Sequence, residues 1–362
     1  MRSVQILGTG GYLPGDPITN ETIERLVGPL PDDVMEGISI QQRFWMVDPE
    51  TGAHRENNSE MAYKAAKQAL ESSGVEASEL DLIILATGTP DYPLPPVVNL
   101  VQDRLGIETI ATMELRSGGA GAVQALDVAR MYLERGTYNT ALIIGSETIS
   151  PVLVPVYLGR SPDAVRMRER MPLYMFGDGA GAMVVRAGEE GAPGIVGSAM
   201  ACVGGGKKPG IHAVGGGTHA PIAEQMAARR LVDLRVDVLE AGKFTPYMIT
   251  QAIGETLKQA HTDVSTVDLC LIPEGNVGWM LDSMEEGGLT TADWSALDGK
   301  IFDNLAQSGA TGCAAVPLFL DHAWRNGQVK VGDRIMLVGL ESTKWIYAGA
   351  VVDWTAPTPG TA

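Results

Sequence analysis

Residues 116–126 have the sequence RSGGAGAVQAL, in which three glycines, Gly118, Gly119 and Gly121, separate a short apolar run from a long apolar segment. Glycine lets the chain turn sharply where a helix begins. The free amides of a first helical turn favour an anion or a reactive group at such a turn. The stretch therefore predicts an elbow before a helix, with either a ligand or a reactive side chain at its tip.

The pattern that follows this elbow occurs twice in the chain. The segment GAVQALDVARMYLERG (121–136) matches GCAAVPLFLDHAWRNG (312–327), and apolar strands TALIIGSE (140–147) and RIMLVGLES (334–342) follow them. Both helical segments are apolar around much of their circumference, which predicts burial between two sheets. Strands that alternate with helices and are repeated once indicate an α/β protein with two similar halves.

Upstream of each elbow the sequence predicts a further helix and a strand. Ser59 is suited to cap the first of these helices, and Thr245, followed by Pro246, is suited to cap the second. Buried strands are then expected from Asp81 and from Asp268. The same order of elements in both copies supports the duplication.

A break in the pattern predicts the boundary between the halves. The stretch AGEEGAPG (187–194) belongs to neither copy, so the halves are expected at residues 1–187 and 195–362. The glycine-rich stretch 204–222 is expected to be a flexible loop. The apolar run at 141–145 is a candidate edge strand for pairing with a second chain.

Composition excludes several classes of function. The 362 residues include 45% hydrophobic and 20% charged residues, as in folded proteins, and the net charge of -17 argues against a nucleic-acid partner. No apolar run is long enough for a membrane span. The three cysteines, Cys202, Cys270 and Cys313, have no metal-ligand spacing and suit a reducing cytoplasm. We expect no metal and no cofactor.

Four motifs carry a resemblance to a known family. They are ATGTPDYPLPP (86–96), GSETIS (145–150), FGDGAGAMVV (176–185) and GATGCAAVPL (309–318). With the duplication, they resemble the thiolase superfamily and, within it, the β-ketoacyl-acyl-carrier-protein synthase III type. The resemblance implies a layered αβαβα fold, with two pseudo-symmetric halves around buried central helices. A dinucleotide-binding fold is the rival interpretation of GGAGAV, but it lacks the acidic residue after a second strand.

The resemblance also implies where catalytic residues belong. The family places a cysteine at the first elbow, a histidine after a second-half strand and an asparagine at the second elbow. In this sequence those positions fall on Gly119, Glu274 and Ala310. All three members of the Cys-His-Asn triad are therefore expected to be replaced.

Other parts of the family's site differ as well. The coenzyme A site has a tryptophan and an arginine where this chain has PDDVMEGI (31–38). The glycine-rich loop that helps form the oxyanion hole is here GLESTKW (339–345), in which Leu340, Glu341 and Lys344 are expected to crowd the hole. By resemblance, Leu94 is the tip of a loop that enters a partner's acyl tunnel. The expected substrate-binding positions are Leu94, Ser117, Gly119, Ala310 and Glu341.

Three side chains remain as candidates for chemistry. Ser117 precedes the elbow but has no identifiable histidine to activate it, and Cys313 is expected to be a buried core residue. Glu274 is the candidate general base, because a carboxyl at a deep strand end can have a raised pKa. The alternative is a structural acceptor bonded to nearby amides or to Lys344, and this alternative is favoured.

The sequence is compatible with three functions. The favoured one is a catalytically silent subunit of a condensing or acyltransferase complex, paired with a cysteine-bearing ketosynthase-like homologue or with itself as a dimer. The alternative is an acyltransferase that moves an acyl group from coenzyme A or acyl carrier protein to an amine or hydroxyl, with Glu274 as base. The third is an acyl- or metabolite-binding protein without turnover.

Overall fold

A computed structural model describes residues 1–215, 217–219, 221–227, 233–274, 296–297 and 299–359. The first half contains the strands β1 (Arg2–Tyr12), β2 (Ile18–Thr19), β3 (Gln42–Arg43), β4 (Leu82–Ala86), β5 (Ala111–Leu115), β6 (Thr140–Glu147) and β7 (Gly179–Glu190). Its helices are α1 (Asn20–Val27), α2 (Asp32–Ile38), α3 (Asn58–Ser73), α4 (Val97–Leu105), α5 (Gly121–Glu134), α6 (Ser150–Leu153) and α7 (Met167–Met175).

The second half repeats this alternation. Its strands are β8 (Ile195–Cys202), β9 (Ile211–Val214), β10 (Asp233–Val236), β11 (Leu269–Leu271), β12 (Ile301–Phe302), β13 (Arg334–Glu341) and β14 (Ile346–Asp353). Its helices are α8 (Ile222–Ala227), α9 (Val238–Gln259), α10 (Leu305–Ser308) and α11 (Ala315–Arg325). Short 3₁₀ turns lie at Ala77–Glu79, Val154–Val156, Pro162–Ala164, Val264–Thr266 and Gly312–Ala314.

The two five-stranded sheets have the same topology. The first has the order β1-β7-β6-β4-β5 and the second the order β8-β14-β13-β11-β12. In both, three strands are parallel, namely β4, β5 and β6 or β11, β12 and β13. An antiparallel strand, β7 or β14, joins these three to the remaining edge strand. The predicted duplicated α/β fold is therefore confirmed.

The two helices that follow the elbows lie between the sheets. Helix α5 contacts β4 and β6 on one side and β13 and β14 on the other. Helix α11 contacts β1 and β7 as well as β11 and β13, and every residue from 315 to 324 except His322 is buried. Burial on both sides explains why these two segments lack a polar face.

Both predicted helix starts differ from the structure. The cap of α3 is Asn57, which forms a capping box with Glu60, while the Ser59 hydroxyl only donates to the Asn57 side chain. Helix α9 is capped by Asp237 and begins at Val238, so that Pro246 lies inside it. The sequence pattern placed the start of this helix at Thr245. In the structure the Asp237 carboxylate accepts from the Glu240 amide, so the helix is already capped upstream of Thr245.

Two further predictions are corrected. Residues 204–222 are not wholly a loop, since β9 forms an antiparallel pair with β10. The run at 141–145 is not an edge, because β6 pairs with β4 and β7 and is buried along its whole length. Among the described residues the free edge on that side of the first sheet is β5, which is half-buried.

The motif FGDGAGA has a structural role at the start of β7. Asp178 is fully buried and accepts hydrogen bonds from the amides of Met46 (2.8 Å), Ile149 (2.6 Å) and Ser150 (2.9 Å), and from the Ser150 hydroxyl. Burial raises the pKa of Asp178 to about 6. Through these hydrogen bonds Asp178 holds the loops after β3 and β6 against the start of β7, next to the second elbow.

Candidate functional site

The first elbow has no room for a side chain at its tip. A Cβ atom added to Gly119 would overlap the carbonyl oxygen of Leu340, and one added to Gly118 would overlap the carboxyl of Glu341. A Cβ on Gly339 would lie 2.6 Å from the Gly119 carbonyl oxygen. The elbow therefore packs backbone to backbone against the end of β13, and only glycine fits there.

The second elbow has the same relation to the first half. Gly312 has a φ of 53°, and a Cβ there would lie 2.7 Å from the Glu147 carboxyl. The amide of Cys313 donates to the same carboxyl at 3.4 Å, and Gly145 lies against the Cys313 carbonyl. Each elbow thus faces the last residue of the central strand of the opposite half.

Glu147, at the end of β6, is a buried acceptor whose lone pairs are used. Besides the Cys313 amide, the Gly88 amide donates at 3.0 Å and the Thr89 hydroxyl makes a short hydrogen bond. Burial raises the pKa of Glu147 to about 7, and the negative charge of Glu341 adds to this. Sequence analysis missed this residue, although its place in the duplication matches that of Glu341.

Glu341, at the end of β13, is as deeply buried but less well bonded. Its Oε1 accepts from the Thr343 amide at 2.8 Å, and its Oε2 lies against the elbow, where the Gly118 and Gly119 amides lower its pKa without making a well-aligned hydrogen bond to it. Burial raises the pKa of this carboxyl above its ordinary value. Glu341 therefore presents a weakly bonded carboxyl oxygen to the amides of the first elbow.

Glu274 follows β11, the parallel neighbour of β13 in the second sheet. The chain turns after this strand, where the Glu274 amide donates to the Ile272 carbonyl at 2.9 Å. Burial, followed by the negative charges of Glu341 and Asp303, raises the pKa of Glu274 to about 8. The residue as a whole is half-buried, with its carboxyl in the part that is withdrawn from solvent.

The predicted structural partner of Glu274 lies elsewhere. The Lys344 ammonium donates to the carbonyl of Lys207. Within the described residues, no amide or cationic side chain donates to the Glu274 carboxyl. A buried carboxyl that has no donor is better suited to exchange a proton than to hold a loop.

The two other candidate nucleophiles are poorly placed for attack. The Cys313 thiol is buried and donates to the carbonyls of Ser117 (2.8 Å) and Gly118 (3.0 Å). Burial raises its pKa well above the ordinary value, and Glu147 and Glu341 raise it further, so the thiol stays protonated. The Ser117 Oγ is buried without a hydrogen-bond partner, and no base activates it among the described residues.

The remaining predicted positions are separated. Ala310 lies at the second elbow, where its amide donates to Met175 and its carbonyl accepts from Gly177. Leu94 is 80% exposed at the tip of the loop before α4, and Tyr92 beside it is 54% exposed. Ser117, Gly119, Glu274 and Glu341 are thus brought together, whereas Leu94 is exposed to solvent on a separate loop.

In the part of the chain that the structure describes, no group of three histidine, cysteine or carboxylate side chains is arranged to hold a metal ion. No helix in the same ranges is both long and apolar enough to cross a membrane.

Two sheets around paired buried helices, with an elbow at the start of each, define a thiolase-like fold. Residues 113–204 match the family model for 3-oxoacyl-[acyl-carrier-protein] synthase III, and residues 257–354 match the model for its C-terminal part. A β-ketoacyl-[acyl-carrier-protein] synthase III of Desulfitobacterium hafniense (strain Y51) is 31% identical over 356 residues, or 98% of this chain and 99% of the relative.

Solved structures agree with this match. The 3-oxoacyl-[acyl-carrier-protein] synthase III of Aquifex aeolicus superposes with a TM-score of 0.78 at 27% identity, covering 97% of this chain and 100% of that one. A tetronic acid condensing enzyme superposes with a TM-score of 0.81 at 28% identity, with the same coverage of both chains. The chain belongs to the β-ketoacyl-acyl-carrier-protein synthase III family.

Proposed function

We propose that this chain works in acyl-thioester metabolism as a catalytically silent subunit of a condensing or acyltransferase complex. The observation that carries the proposal is the closed first elbow, where Gly119 meets the Leu340 carbonyl and no side chain fits. An acyl-enzyme needs a nucleophile at a helix start, and this helix start offers only glycine. We infer that Gly119, Glu274 and Ala310 occupy the three catalytic positions of the family without supplying its chemistry.

The proposed partner is a cysteine-bearing ketosynthase-like homologue or a second copy of this chain. Leu94 supports this, because an apolar side chain that is 80% exposed on a proline-flanked loop is suited to insertion into another protomer. The half-buried edge strand β5 offers unpaired backbone groups for joining two sheets. The thioester would be that of acyl carrier protein, which the names of the relatives contain, or that of coenzyme A.

Native mass spectrometry of the protein isolated from its source cells tests this proposal. We expect a complex of this chain with a second ketosynthase-like chain, and an interface above ~2,000 Å². Leu94→Asp should dissociate the complex in sedimentation, whereas Val331→Asp, at a site that is 61% exposed on another face, should not. A chain that remains monomeric at micromolar concentration in both experiments overturns the proposal.

A second candidate function is direct acyl transfer, and Glu274 favours it. The carboxyl of this half-buried residue has a raised pKa and no donor among the described residues, as a general base requires. The acceptor's nitrogen or oxygen would attack the thioester carbonyl, Glu274 would take its proton, and the C–S bond would break to release the thiol. If the chain transfers acyl groups directly, it should catalyse this transfer without a partner, and Glu274→Gln should lower the rate of transfer by ~10²–10⁴.

A further inference from the structure

The turn that joins β13 to β14 holds a bulky residue in a strained backbone conformation. Residues 342–345 form this hairpin turn, and Trp345 has a φ of 62°. Large L-residues rarely adopt this left-handed region, because the Cβ atom comes too close to a backbone carbonyl. Trp345 is only 1% exposed, so its surroundings impose the conformation. Strain of this kind persists where the packing over-determines it, and it is concentrated in segments that switch.

A surface loop packs over this tryptophan. The covering loop comprises residues 203–210, between β8 and β9. The Trp345 Nε1 donates to the Lys208 carbonyl at 2.8 Å. Gly204 and Gly210 lie against the indole, since a Cβ atom on either would be 2.5 Å from one of its ring carbons. The loop therefore fixes the side chain of the strained residue.

Further hydrogen bonds join the covering loop to the rest of the hairpin turn. The Ser342 carbonyl accepts from the Gly210 amide at 3.0 Å, and the Lys344 ammonium donates to the Lys207 carbonyl. The outer side of the loop is open to solvent, because residues 205–209 are all exposed. The loop and the turn are thus bonded to each other on one side and accessible from outside on the other.

The residues just before the turn are the ones that close the first elbow. The Leu340 carbonyl occupies the space beside Gly119, and the carboxyl of Glu341 lies next to it. Glu341 is paired in the ladder with Ile346, the neighbour of Trp345, and accepts an amide hydrogen bond from within the turn. The backbone that closes the elbow is therefore directly continuous with the strained tryptophan.

The Cys313 thiol lies directly beneath the closed elbow. It is buried and donates to the carbonyls of Ser117 (2.8 Å) and Gly118 (3.0 Å), and a Cβ atom on Gly121 would be 3.0 Å from its Sγ. Any movement of the elbow away from the end of β13 would uncover this thiol. Cys313 is therefore a reporter of the state of the elbow.

We propose that the covering loop and the hairpin turn form a latch, which keeps the first elbow closed and opens it when the loop is lifted. In the closed state the contacts of the loop hold Trp345 in its strained conformation. When the loop moves away, Trp345 relaxes and the end of β13 withdraws from Gly119. A partner that binds only the lifted loop would shift the chain toward the open state.

The latch goes beyond the proposed function, because it gives the first elbow a second state. Gly119 has no side chain in either state, so opening does not supply the missing nucleophile. It would instead free the amides at the start of α5 and make room beside them. The formation of a complex with a second ketosynthase-like chain does not require the latch.

Hydrogen exchange of the full-length chain, followed by mass spectrometry, tests the latch with two alanine variants of the same loop. Gly210→Ala brings a methyl group against the Trp345 ring and should lift the loop, so that the amides of residues 117–121 exchange about tenfold faster or more. Gly205→Ala, which has no atom near its Cβ, should leave them unchanged. Amides of helix α3 should be unchanged in both variants.

Labelling of cysteines with N-ethylmaleimide at pH 7 gives a second measurement on the same proteins. Gly210→Ala should raise the rate of labelling of Cys313 about tenfold or more, whereas Cys270, buried in β11, should stay protected. Gly205→Ala should label as the wild type does. Protection of both the elbow amides and Cys313 in Gly210→Ala, or equally faster exchange throughout the chain, overturns the latch.

A tryptophan pair decides the question if Gly210→Ala does not fold. Trp345→Phe removes the donor to the Lys208 carbonyl and should also speed exchange at the elbow and labelling of Cys313. Trp324→Phe is the matched control, because Trp324 is equally buried and its Nε1 has no hydrogen-bond partner among the described residues. The same response from both variants would contradict the latch.

Two outcomes separate the latch from the proposed function. A chain that forms a complex with a ketosynthase-like partner, but whose elbow stays closed in Gly210→Ala and Trp345→Phe, overturns the latch alone. A chain whose elbow opens in these variants, but which remains monomeric, supports the latch and overturns the proposed function.

Discussion

Glu147 and Glu341 occupy the same place in the two halves, yet their surroundings differ. Each is the last residue of an eight-residue central strand, each is 3% exposed, and each lies against the elbow of the opposite half. Glu147 accepts well-formed hydrogen bonds from two amides and a hydroxyl, whereas Glu341 accepts one from the Thr343 amide and its Oε2 has only poorly aligned contacts with the Gly118 and Gly119 amides. The duplicated framework positions both carboxyls, and the adjoining loops decide how well each of them is bonded.

The two elbows also differ in what stands at their tips. At the second elbow, Cys313 turns its amide to Glu147 and its thiol to backbone carbonyls, so the carboxyl is part of the packing. At the first elbow, Gly119 leaves no side chain, and the Leu340 carbonyl takes up the space.

The largest effect is expected from placing a cysteine at the first elbow. Gly119→Cys should lower the free energy of unfolding by ~3 kcal/mol or more, because its Cβ would overlap the Leu340 backbone, which cannot move aside as a side chain can. Gly254→Cys, in the exposed part of α9 with no atom near its Cβ, should have little effect. Urea unfolding measures both, and a stable Gly119→Cys variant that forms ketone product would refute the closed elbow.

An intermediate effect is expected when each strand-end carboxyl is changed to an amide. Glu147→Gln should lower the free energy of unfolding by ~1–3 kcal/mol, because an NH₂ group would face the donors of Gly88, Thr89 or Cys313. Glu341→Gln should cost less, since its Oε2 has no well-aligned donor to lose. Thermal and urea unfolding at pH 7 compare the two, and equal losses would show that the two carboxyls are equally well bonded.

The smallest effect is expected in how the free energy of unfolding depends on pH. The pKa of Glu274 is raised from 4.5 to about 8, so the folded chain holds this proton more tightly than the unfolded chain. Its contribution to stability is complete below pH 4.5 and is lost as the pH rises through 8. Because the residue as a whole is half-buried, we expect Glu274→Gln to gain about 1 kcal/mol over the wild type between pH 5.5 and 8.5.

Unfolding curves at several pH values, with Glu189→Gln as the control, measure this difference. A variant that loses stability equally at every pH would instead support the structural role that the sequence favoured for Glu274. That role, the catalytic role and the division of the chain at residues 187–195 all remain predictions.

The sequence alone determined the duplication, the two buried helices and the elbows, because periodic apolar residues and glycines act over a few turns of chain. It also placed Gly119, Glu274 and Ala310 at the positions that the family resemblance implies. It did not predict the start of α9, where Asp237 caps a helix that continues through Pro246. Nor did it distinguish the central strand β6 from an edge, since a continuous apolar run is compatible with several positions in a sheet.

Only the tertiary structure decided what surrounds the first elbow. Gly119 and Leu340 are separated by more than two hundred residues, and their backbones meet because the two halves pack against each other. The same packing places Glu341 beside Glu274 and turns Lys344 toward Lys207. Hydrogen-bond satisfaction and pKa depend on such non-local neighbours and on burial, which no local pattern of residues specifies.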